Sequence, residues 1–164
     1  MEERAEKDSP RRVVSAGIII YRKTRDGIKF LLMYQGRGYW NFPKGKIEKE
    51  ERSWETALRE VKEETGLDPS SLKLVGNFKA FEKFEYKSGR QIVSKVVILH
   101  LAETKEKKIS VLSREHSGYG WFSPSEARQM AIKNPDSAKI ILRAYNYLSN
   151  RGYTGRLKQT KNTS

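Results

Sequence analysis

Hydrophobic residues recur along the chain with two different periods, one typical of strands and one typical of helices. Stretches rich in β-branched and aromatic residues predict strands at 13–23, 29–35, 72–86 and 91–102, with short extended pieces at 39–42 and 119–122. Apolar residues at helical spacing predict helices at 53–65 and at about 136–148. Because strands and helices mix without a regular βαβ alternation, we predict an α+β fold with a mixed β-sheet between helices.

Turn and capping residues indicate where these elements begin and end. Residues 24–27 form the turn of a predicted hairpin, and residues 44–52 read as a charged loop. Ser53 can cap the start of the first helix, and Gly66 can close its end. Residues 123–126 match a capping box with proline at the first helical position, so a further helix is expected to begin there.

The two ends of the chain differ in composition from its middle. A chain of 164 residues is long enough for one compact domain with its own core, which we place at residues 12–150. Residues 1–11 are charged and predict a flexible lead. Residues 151–164 carry four basic and no acidic residues, with little apolar content, and predict a disordered tail.

Composition excludes several classes of protein. The absence of cysteine excludes disulfides and thiolate metal sites. No apolar run approaches the roughly 18 residues that a transmembrane helix needs. The charged N-terminal residues lack the apolar segment of a signal peptide. We therefore expect a cytoplasmic protein with no membrane partner.

The net charge of +13 has two interpretations. Excess positive charge on a small domain is typical of proteins that bind polyanions such as nucleotides or RNA. A charge-rich, solvated surface of the kind found in thermophilic proteins gives the same composition. The charge alone does not choose between a polyanionic partner and a solvated surface.

Three glutamates give the predicted helix at 53–65 an acidic face. Glu60, Glu63 and Glu64 stand at i, i+3 and i+4, where like charges repel one another and weaken an isolated helix. Such a cluster is either a solvated face or a site for a hard divalent cation, with Mg²⁺ or Mn²⁺ as candidates. Arg59 can reach back to Glu51 in the preceding loop, where a bidentate ion pair would fasten the loop to the helix.

The loop and the helix together resemble the Nudix box. The residues that match its fixed positions, at the spacing of that motif, are Gly45, Glu51, Arg59, Glu60, Val61, Glu63, Glu64, Gly66 and Leu67. Resemblance to the Nudix family implies an α/β/α sandwich that hydrolyses a nucleoside diphosphate linked to another group. Such hydrolysis depends on divalent metal ions, which neutralise phosphate charge and activate water.

The same resemblance implies roles for individual residues. The metal ligands it implies are Glu60, Glu63, Glu64 and the backbone carbonyl of Lys44. Glu63 and Glu64 are also catalytic candidates, while Arg59 and Glu51 would orient the loop. Lys44 and Lys46 flank the box glycine, where they would stabilise phosphate charge in the transition state, or else remain exposed loop lysines.

The segment before the box narrows the choice of substrate. Residues 40–45 read W-N-F-P-K-G, which looks like the W-x-x-P-K-G segment of asymmetric diadenosine tetraphosphate hydrolases and of mRNA-decapping Nudix enzymes. Mutator-type 8-oxo-dGTP hydrolases usually have P-G-G instead. Lys44 in place of a glycine therefore argues against that class.

A second resemblance lies downstream. Residues 112–121 are similar to the L-S-x-E-H-x-x-Y-x-W stretch of the diadenosine tetraphosphate hydrolases. In that family the glutamate approaches the metal cluster, so Glu115 is a candidate ligand or general base, or else an exposed loop acid. His116 would hydrogen-bond substrate or order the loop. Tyr119 would stack on a nucleobase or pack beside Trp121.

Aromatic residues and lysines are interleaved between residues 79 and 87. Phe81, Phe84 and Tyr86 alternate with lysines, among them Lys83, as a groove for a nucleotide and its phosphates would require. We therefore name Tyr86 and Lys83 as substrate-binding candidates. An edge strand with one buried face has the same appearance.

Together these resemblances favour a monomeric enzyme that cleaves diadenosine tetraphosphate asymmetrically into ATP and AMP. A 5′-end RNA pyrophosphohydrolase or decapping enzyme is the alternative, favoured by the W-x-F-P-K-G segment and the net charge of +13. A non-catalytic RNA-binding Nudix domain is the alternative from a different class. Such domains usually lose box glutamates, whereas this sequence retains all of them.

Overall fold

The structure, a computed structural model, describes residues 10–111 and 118–161, with side chains through Arg151. Within these residues eight strands form one mixed sheet: β1 Arg11–Thr24, β2 Gly27–Tyr34, β3 Trp40–Asn41, β4 Lys44–Lys46, β5 Lys73–Leu74, β6 Ala80–Ser88, β7 Gln91–Glu103 and β8 Gly118–Phe122. The helices are α1 Ser53–Thr65, α2 Pro124–Met130 and α3 Pro135–Lys161, with a 3₁₀ turn at Pro69–Ser71. No helix in this part of the chain is long and apolar enough to span a membrane.

Strand β1 lies at the centre of the sheet. Along one edge, residues 11–21 pair in parallel with β7. Along the other edge, β1 pairs antiparallel with β2 through residues 21–24 and with β4 through residues 15–17. Strand β2 therefore diverges from β1, and β4 provides partners for backbone groups of β1 that β2 leaves unpaired. The predicted charged loop at 44–52 consequently begins with a short strand.

The sheet has a helix layer on each face, which confirms the predicted α+β sandwich. On the α1 face, helix α1 packs on a cluster that includes Ile18, Ile20, Leu31, Met33, Ala57 and Val61. On the opposite face, which we call the α3 face, α2 and α3 pack on a cluster that includes Ile19, Phe30, Leu32, Leu99, Ile141 and Ala144. Strand alternation explains the division, because neighbouring residues of one strand point to opposite faces.

Helix α1 has the predicted bounds, but its first cap differs. Arg52 is the N-cap residue, and its backbone N–H donates to Oε2 of Glu55 (3.1 Å). Ser53 is already helical, and its hydroxyl lies 3.0 Å from Nε2 of His100 on β7. The predicted Ser53 cap is therefore wrong, because this hydroxyl ties the helix to the sheet instead. Gly66 closes α1 in the left-handed conformation (φ 75°), as predicted.

Two other predicted boundaries differ from the structure. The single strand predicted at 72–86 is interrupted by a turn in which Asn77 has a left-handed backbone (φ 64°), so it becomes β5 and β6. The last helix was expected to end at about residue 148, before a disordered tail at 151–164, but α3 continues to Lys161. Residues 156–161 are mostly arginine, leucine, lysine and glutamine, which favour a helix over an early end.

Candidate active site

The acidic face of α1 lies directly against β4. Glu64 is buried, and its Oε2 accepts a hydrogen bond from the backbone N–H of Lys44 (3.2 Å). The carboxylate of Glu60 lies over Gly45, where a Cβ would be only 2.0 Å from Cδ of Glu60. Strand and helix can approach this closely only because residue 45 is a glycine. Glu63 lies beside these two carboxylates and is exposed.

Electrostatic repulsion marks this cluster as a cation site. Burial raises the pKa of Glu60 above its ordinary value, and the charges of Glu64 and Glu63 raise it further, against the lowering effect of Arg59. A divalent cation would relieve this repulsion, and carboxylate oxygens are the ligands that hard divalent cations prefer. The donor set therefore fits a divalent metal ion.

The metal site is not a closed cage among the residues that the structure describes. Over 10–111 and 118–161, no three acidic or histidine side chains converge tightly enough to hold an ion as they stand. Nη1 of Arg59 instead provides the positive charge, 2.9 Å from Oε1 of Glu60 and 3.4 Å from Oε1 of Glu63. Glu115, the predicted further ligand, lies outside the described residues.

The backbone of Lys44 is oriented towards the same cluster. The carbonyl of Pro43 accepts from the N–H of Ile18 (3.2 Å), and the N–H of Ile47 donates to Val14 (3.0 Å), so alternate residues of this segment bond to β1. Lys44 lies between the bonded positions, and its N–H and C=O therefore point away from β1. Its N–H meets Glu64, which places the carbonyl on the side required of the implied metal ligand.

Arg59 fastens the loop before α1 to the helix. Its Nε and Nη2 donate to Oε2 and Oε1 of Glu51, both at 2.9 Å, which is the predicted bidentate ion pair. Nη2 also donates to the carbonyl of Lys46 (3.2 Å) on β4. Because one guanidinium joins the loop, β4 and the acidic face, it holds the parts of the candidate site in register.

This ion pair predicts a dependence of stability on pH. The hydrogen bond from Arg59 is the main reason why the pKa of Glu51 falls from 4.5 to about 2. Since the pKa is lower in the folded state, ionised Glu51 stabilises the fold above pH 4.5, and this contribution is lost as the pH falls from 4.5 through about 2. We expect Glu51→Gln to unfold at lower urea concentration than the original protein at neutral pH.

The measurement is urea unfolding of both proteins at several pH values. The difference between them should shrink steadily as the pH is lowered below 4.5. Asp68→Asn is a matched control, because Asp68 forms an exposed ion pair with Lys62 (3.0 Å) that should contribute little at any pH. A Glu51→Gln deficit that stays constant across the pH range would contradict the assignment.

The side chain of Lys44 crosses to the α3 face. Its Nζ is 3.2 Å from Oε2 of the buried Glu82 on β6 and 5.8 Å from the ring centre of Phe84. Nζ of Lys95 on β7 lies 5.5 Å from the same ring centre. Lys44 can cross β1 closely because residue 17 is glycine, where a Cβ would be 2.7 Å from Cβ of Lys44. Two ammonium groups thus face one aromatic ring.

Strand alternation corrects the predicted groove on β6. Phe84 and Tyr86 point to the α3 face, together with Lys44, whereas Lys83 points to the α1 face because it pairs with Val96. Lys83 and Tyr86 are therefore not brought together, and the cations beside the aromatic residues come from β4 and β7. The backbone N–H of Lys83 donates to Oδ2 of Asp136 at the start of α3 (3.3 Å). Tyr86 is largely exposed on the α3 face, beyond Phe84.

Lys95 and Glu82 are residues that sequence reasoning missed. Burial is the main reason why the pKa of Lys95 is lowered, and the charge of Lys44 lowers it further, which shows that the two ammonium groups interact. The β6–β7 register pairs Lys95 with Phe84. Counting alternate positions back from the turn at 89–90 would have placed Phe84 and Lys95 on one face.

The remaining candidates lie elsewhere or outside the described residues. Tyr119 on β8 pairs with Met33 and packs with Trp121 against the cluster on the α1 face, the packing alternative that the sequence left open. It does not join Phe84 on the α3 face. Lys46 is exposed on the same side of β4 as Lys44. Glu115 and His116 lie in the segment that the structure does not describe.

Comparisons with known proteins agree with this site. A model of the NUDIX domain matches residues 11–144. The chain is 36% identical over 126 residues to the asymmetrical bis(5′-nucleosyl)-tetraphosphatase of Sus scrofa, covering 71% of this chain and 83% of the relative. It is 27% identical over 99 residues to a CTP pyrophosphohydrolase of Escherichia coli, covering 60% of this chain and 66% of that enzyme.

A solved structure shares the whole fold. The Ap4A hydrolase binary complex of C. elegans superimposes with a TM-score of 0.72 and 26% sequence identity. The superposition covers 84% of this chain and 98% of the other. The similarity therefore extends over both faces of the sheet and includes the elements that carry the candidate site.

Proposed function

The chain belongs to the Nudix hydrolase family, and from this premise we propose that it cleaves diadenosine tetraphosphate asymmetrically into ATP and AMP. The observation that carries the proposal is the position of Lys44. Its backbone N–H faces the acidic cluster through Glu64, and its ammonium lies with Lys95 beside Phe84. The relatives that are asymmetrical tetraphosphatases support this choice of substrate.

Each side of the site has its own task in this proposal. On the α1 side, Glu60, Glu63 and Glu64 would hold the divalent ion, Mg²⁺ or Mn²⁺, with Glu63 and Glu64 as the candidates for the general base. When bound, the metal neutralises phosphate charge and lowers the pKa of a water molecule. Arg59 and Glu51 keep the loop and the helix in register.

On the α3 side, lysines bind phosphate and an aromatic ring binds the base. Lys44 and Lys95 present two positive charges to a polyphosphate, and Lys46 adds a third, exposed charge on the same strand as Lys44. Phe84 offers a ring on which a nucleobase can stack without its sequence being read. These charges stabilise the leaving nucleotide as negative charge accumulates on it.

A 5′-end RNA hydrolase is the second candidate function. The net charge of +13 and the W-N-F-P-K-G segment at residues 40–45 favour it. An RNA with a 5′ polyphosphate offers the acidic cluster and the lysines the same phosphoanhydride chemistry. The two functions differ in what lies beyond the first nucleoside, so direct comparison of substrates separates them.

The test is a product analysis with purified protein and Mg²⁺. We expect diadenosine tetraphosphate to give equal amounts of AMP and ATP, resolved by anion-exchange chromatography, because the attack should fall on a terminal phosphate unit of the chain. Glu64→Gln prepared in parallel controls for contaminating phosphatases. Two molecules of ADP would contradict the proposal, since they arise only from symmetric cleavage.

The same experiment tests the alternatives. Turnover of 5′-triphosphorylated and 5′-capped RNA is measured beside diadenosine tetraphosphate, at equal concentration. A preference for either RNA of more than about tenfold in kcat/KM would make the RNA hydrolase the better assignment. RNA binding without turnover of any of these substrates would favour the non-catalytic interpretation.

A further inference from the structure

A buried carboxylate stands behind the ammonium groups of the proposed polyphosphate site. Glu82 is 0% exposed on β6, and its Oε2 accepts a hydrogen bond from Nζ of Lys44 (3.2 Å). Its other oxygen, Oε1, accepts a hydrogen bond from the hydroxyl of Ser137 in the first turn of α3. Glu82 is thus held from one side by a helix and binds a lysine of the site on the other.

The charges around Glu82 explain why a carboxylate is tolerated at this buried position. The side chain of Lys44 is only 11% exposed, and Lys95 shares the ring of Phe84 with it. Two ammonium groups this close repel each other where water is scarce. The negative charge of Glu82 offsets this repulsion and opposes the lowering of the pKa of Lys95 by burial.

We propose that Glu82 is a positioning residue that holds the ammonium of Lys44 beside Lys95, so that both face a polyphosphate chain. The inference rests on the proposed function, which assigns Lys44 and Lys95 to the phosphates. An ammonium group has three donors, so Lys44 can bind Glu82 and a phosphate oxygen together. A lysine already held in place loses less side-chain freedom when the substrate binds.

The test compares two substitutions of the same kind on β6. Glu82→Gln keeps the size and the hydrogen bonds but removes the charge. We expect the Kd for inorganic tripolyphosphate, measured by calorimetry without metal, to rise about tenfold, the order seen when an outer-shell partner of a binding group is lost. The KM for diadenosine tetraphosphate should rise similarly, with kcat little changed. Glu85→Gln, on the opposite face of β6 and exposed, should change neither value.

A double-mutant cycle separates positioning from a general effect on folding. In a Lys44→Met background, Glu82→Gln should leave the Kd for tripolyphosphate unchanged, because the side chain through which it acts is absent. Equal effects with and without Lys44 would overturn the proposal. A lower Kd in Glu82→Gln would also overturn it, since Glu82 would then compete with phosphate for Lys44.

Ser137→Ala keeps the proposal testable if Glu82→Gln does not fold. This variant removes one anchor of the Glu82 carboxylate but keeps its charge. We expect about a threefold rise in Kd for tripolyphosphate, in keeping with the loss of one hydrogen bond. The rise should again appear only when Lys44 is present. No change with Lys44 present, or the same change without it, would count against the positioning role.

The outcomes also separate this inference from the proposed substrate. If diadenosine tetraphosphate is not cleaved but tripolyphosphate binding depends on Glu82 through Lys44, the substrate assignment fails and the positioning role stands. If diadenosine tetraphosphate is cleaved into AMP and ATP while Glu82→Gln and Glu85→Gln behave alike, the substrate assignment stands and the positioning role fails.

Discussion

Replacing Glu64 by glutamine is expected to lower kcat about a thousandfold, within the range that a positioned acid–base group contributes, while the protein remains folded. Glutamine has nearly the same size, and its side-chain oxygen can still accept the hydrogen bond from the backbone N–H of Lys44 (3.2 Å). What is lost is the negative charge at the buried end of the acidic face. That charge serves both proposed roles of Glu64, as a metal ligand and as a candidate base.

Turnover of diadenosine tetraphosphate and thermal unfolding, measured on the same samples, test this expectation. Glu55→Gln is the matched control: Glu55 lies in the first turn of the same helix and is exposed, and glutamine can replace it in the capping interaction with Arg52. The control should retain its activity. Activity of Glu64→Gln within a few-fold of the original protein would show that the catalytic assignment is wrong.

Replacing Gly45 by alanine is expected to reduce kcat/KM by about a hundredfold, the size of effect that a misplacement of about 1 Å has at a catalytic site. A Cβ at residue 45 would lie 2.0 Å from Cδ of Glu60 and 2.1 Å from its Oε1, so the carboxylate must move. The side chain of Glu60 is flexible and can move without unfolding the protein. The loss should therefore fall on metal binding and activity more than on stability.

The measurement is the dependence of activity on Mg²⁺ concentration, together with the unfolding temperature. We expect Gly45→Ala to need more Mg²⁺ for half-maximal activity and to unfold only a few degrees earlier. Gly76→Ala is the control, because a Cβ at residue 76 meets no atom within 4 Å. Unchanged Mg²⁺ dependence in Gly45→Ala would show that Glu60 does not hold the metal.

The acidic half of the site could be predicted because it lies within one short stretch of the chain. Glu60, Glu63 and Glu64 share one helix, so the helical period alone places their side chains together. Arg59 and Glu51 are close in sequence, and the length of an arginine side chain limits where its partner can be. Helical geometry thus carries these residues from spacing to contact without knowledge of the sheet.

The basic half of the site depends on contacts that local pattern does not contain. Lys44, Glu82 and Lys95 come from three different strands, and they meet only because β1, β6 and β7 have a particular register. A shift of one residue in that register would exchange the faces of a whole strand. The interleaved lysines between 79 and 87 therefore gave a wrong expectation for Lys83, although the aromatic residues were chosen from the right strand.

Small local competitions explain the remaining errors. Ser53 has the right residue type for a helix cap, but His100 on β7 takes its hydroxyl at 3.0 Å. The strand expected at 72–86 breaks where Asn77 adopts a left-handed backbone, which asparagine tolerates better than most residues. In both cases a neighbour or a backbone conformation outweighed the intrinsic preference of the segment.

Lys44 faces the two halves of the site from opposite sides of its Cα atom. Its N–H bonds to Glu64 on the acidic side, and its ammonium bonds to Glu82 on the other. A displacement of its backbone by a bound cation would carry the ammonium with it. Two ligands that adjust one residue are thermodynamically linked, so the factor by which the cation strengthens polyphosphate binding equals the factor by which polyphosphate strengthens cation binding. The free concentration of one ligand would then set the half-saturation point of the other.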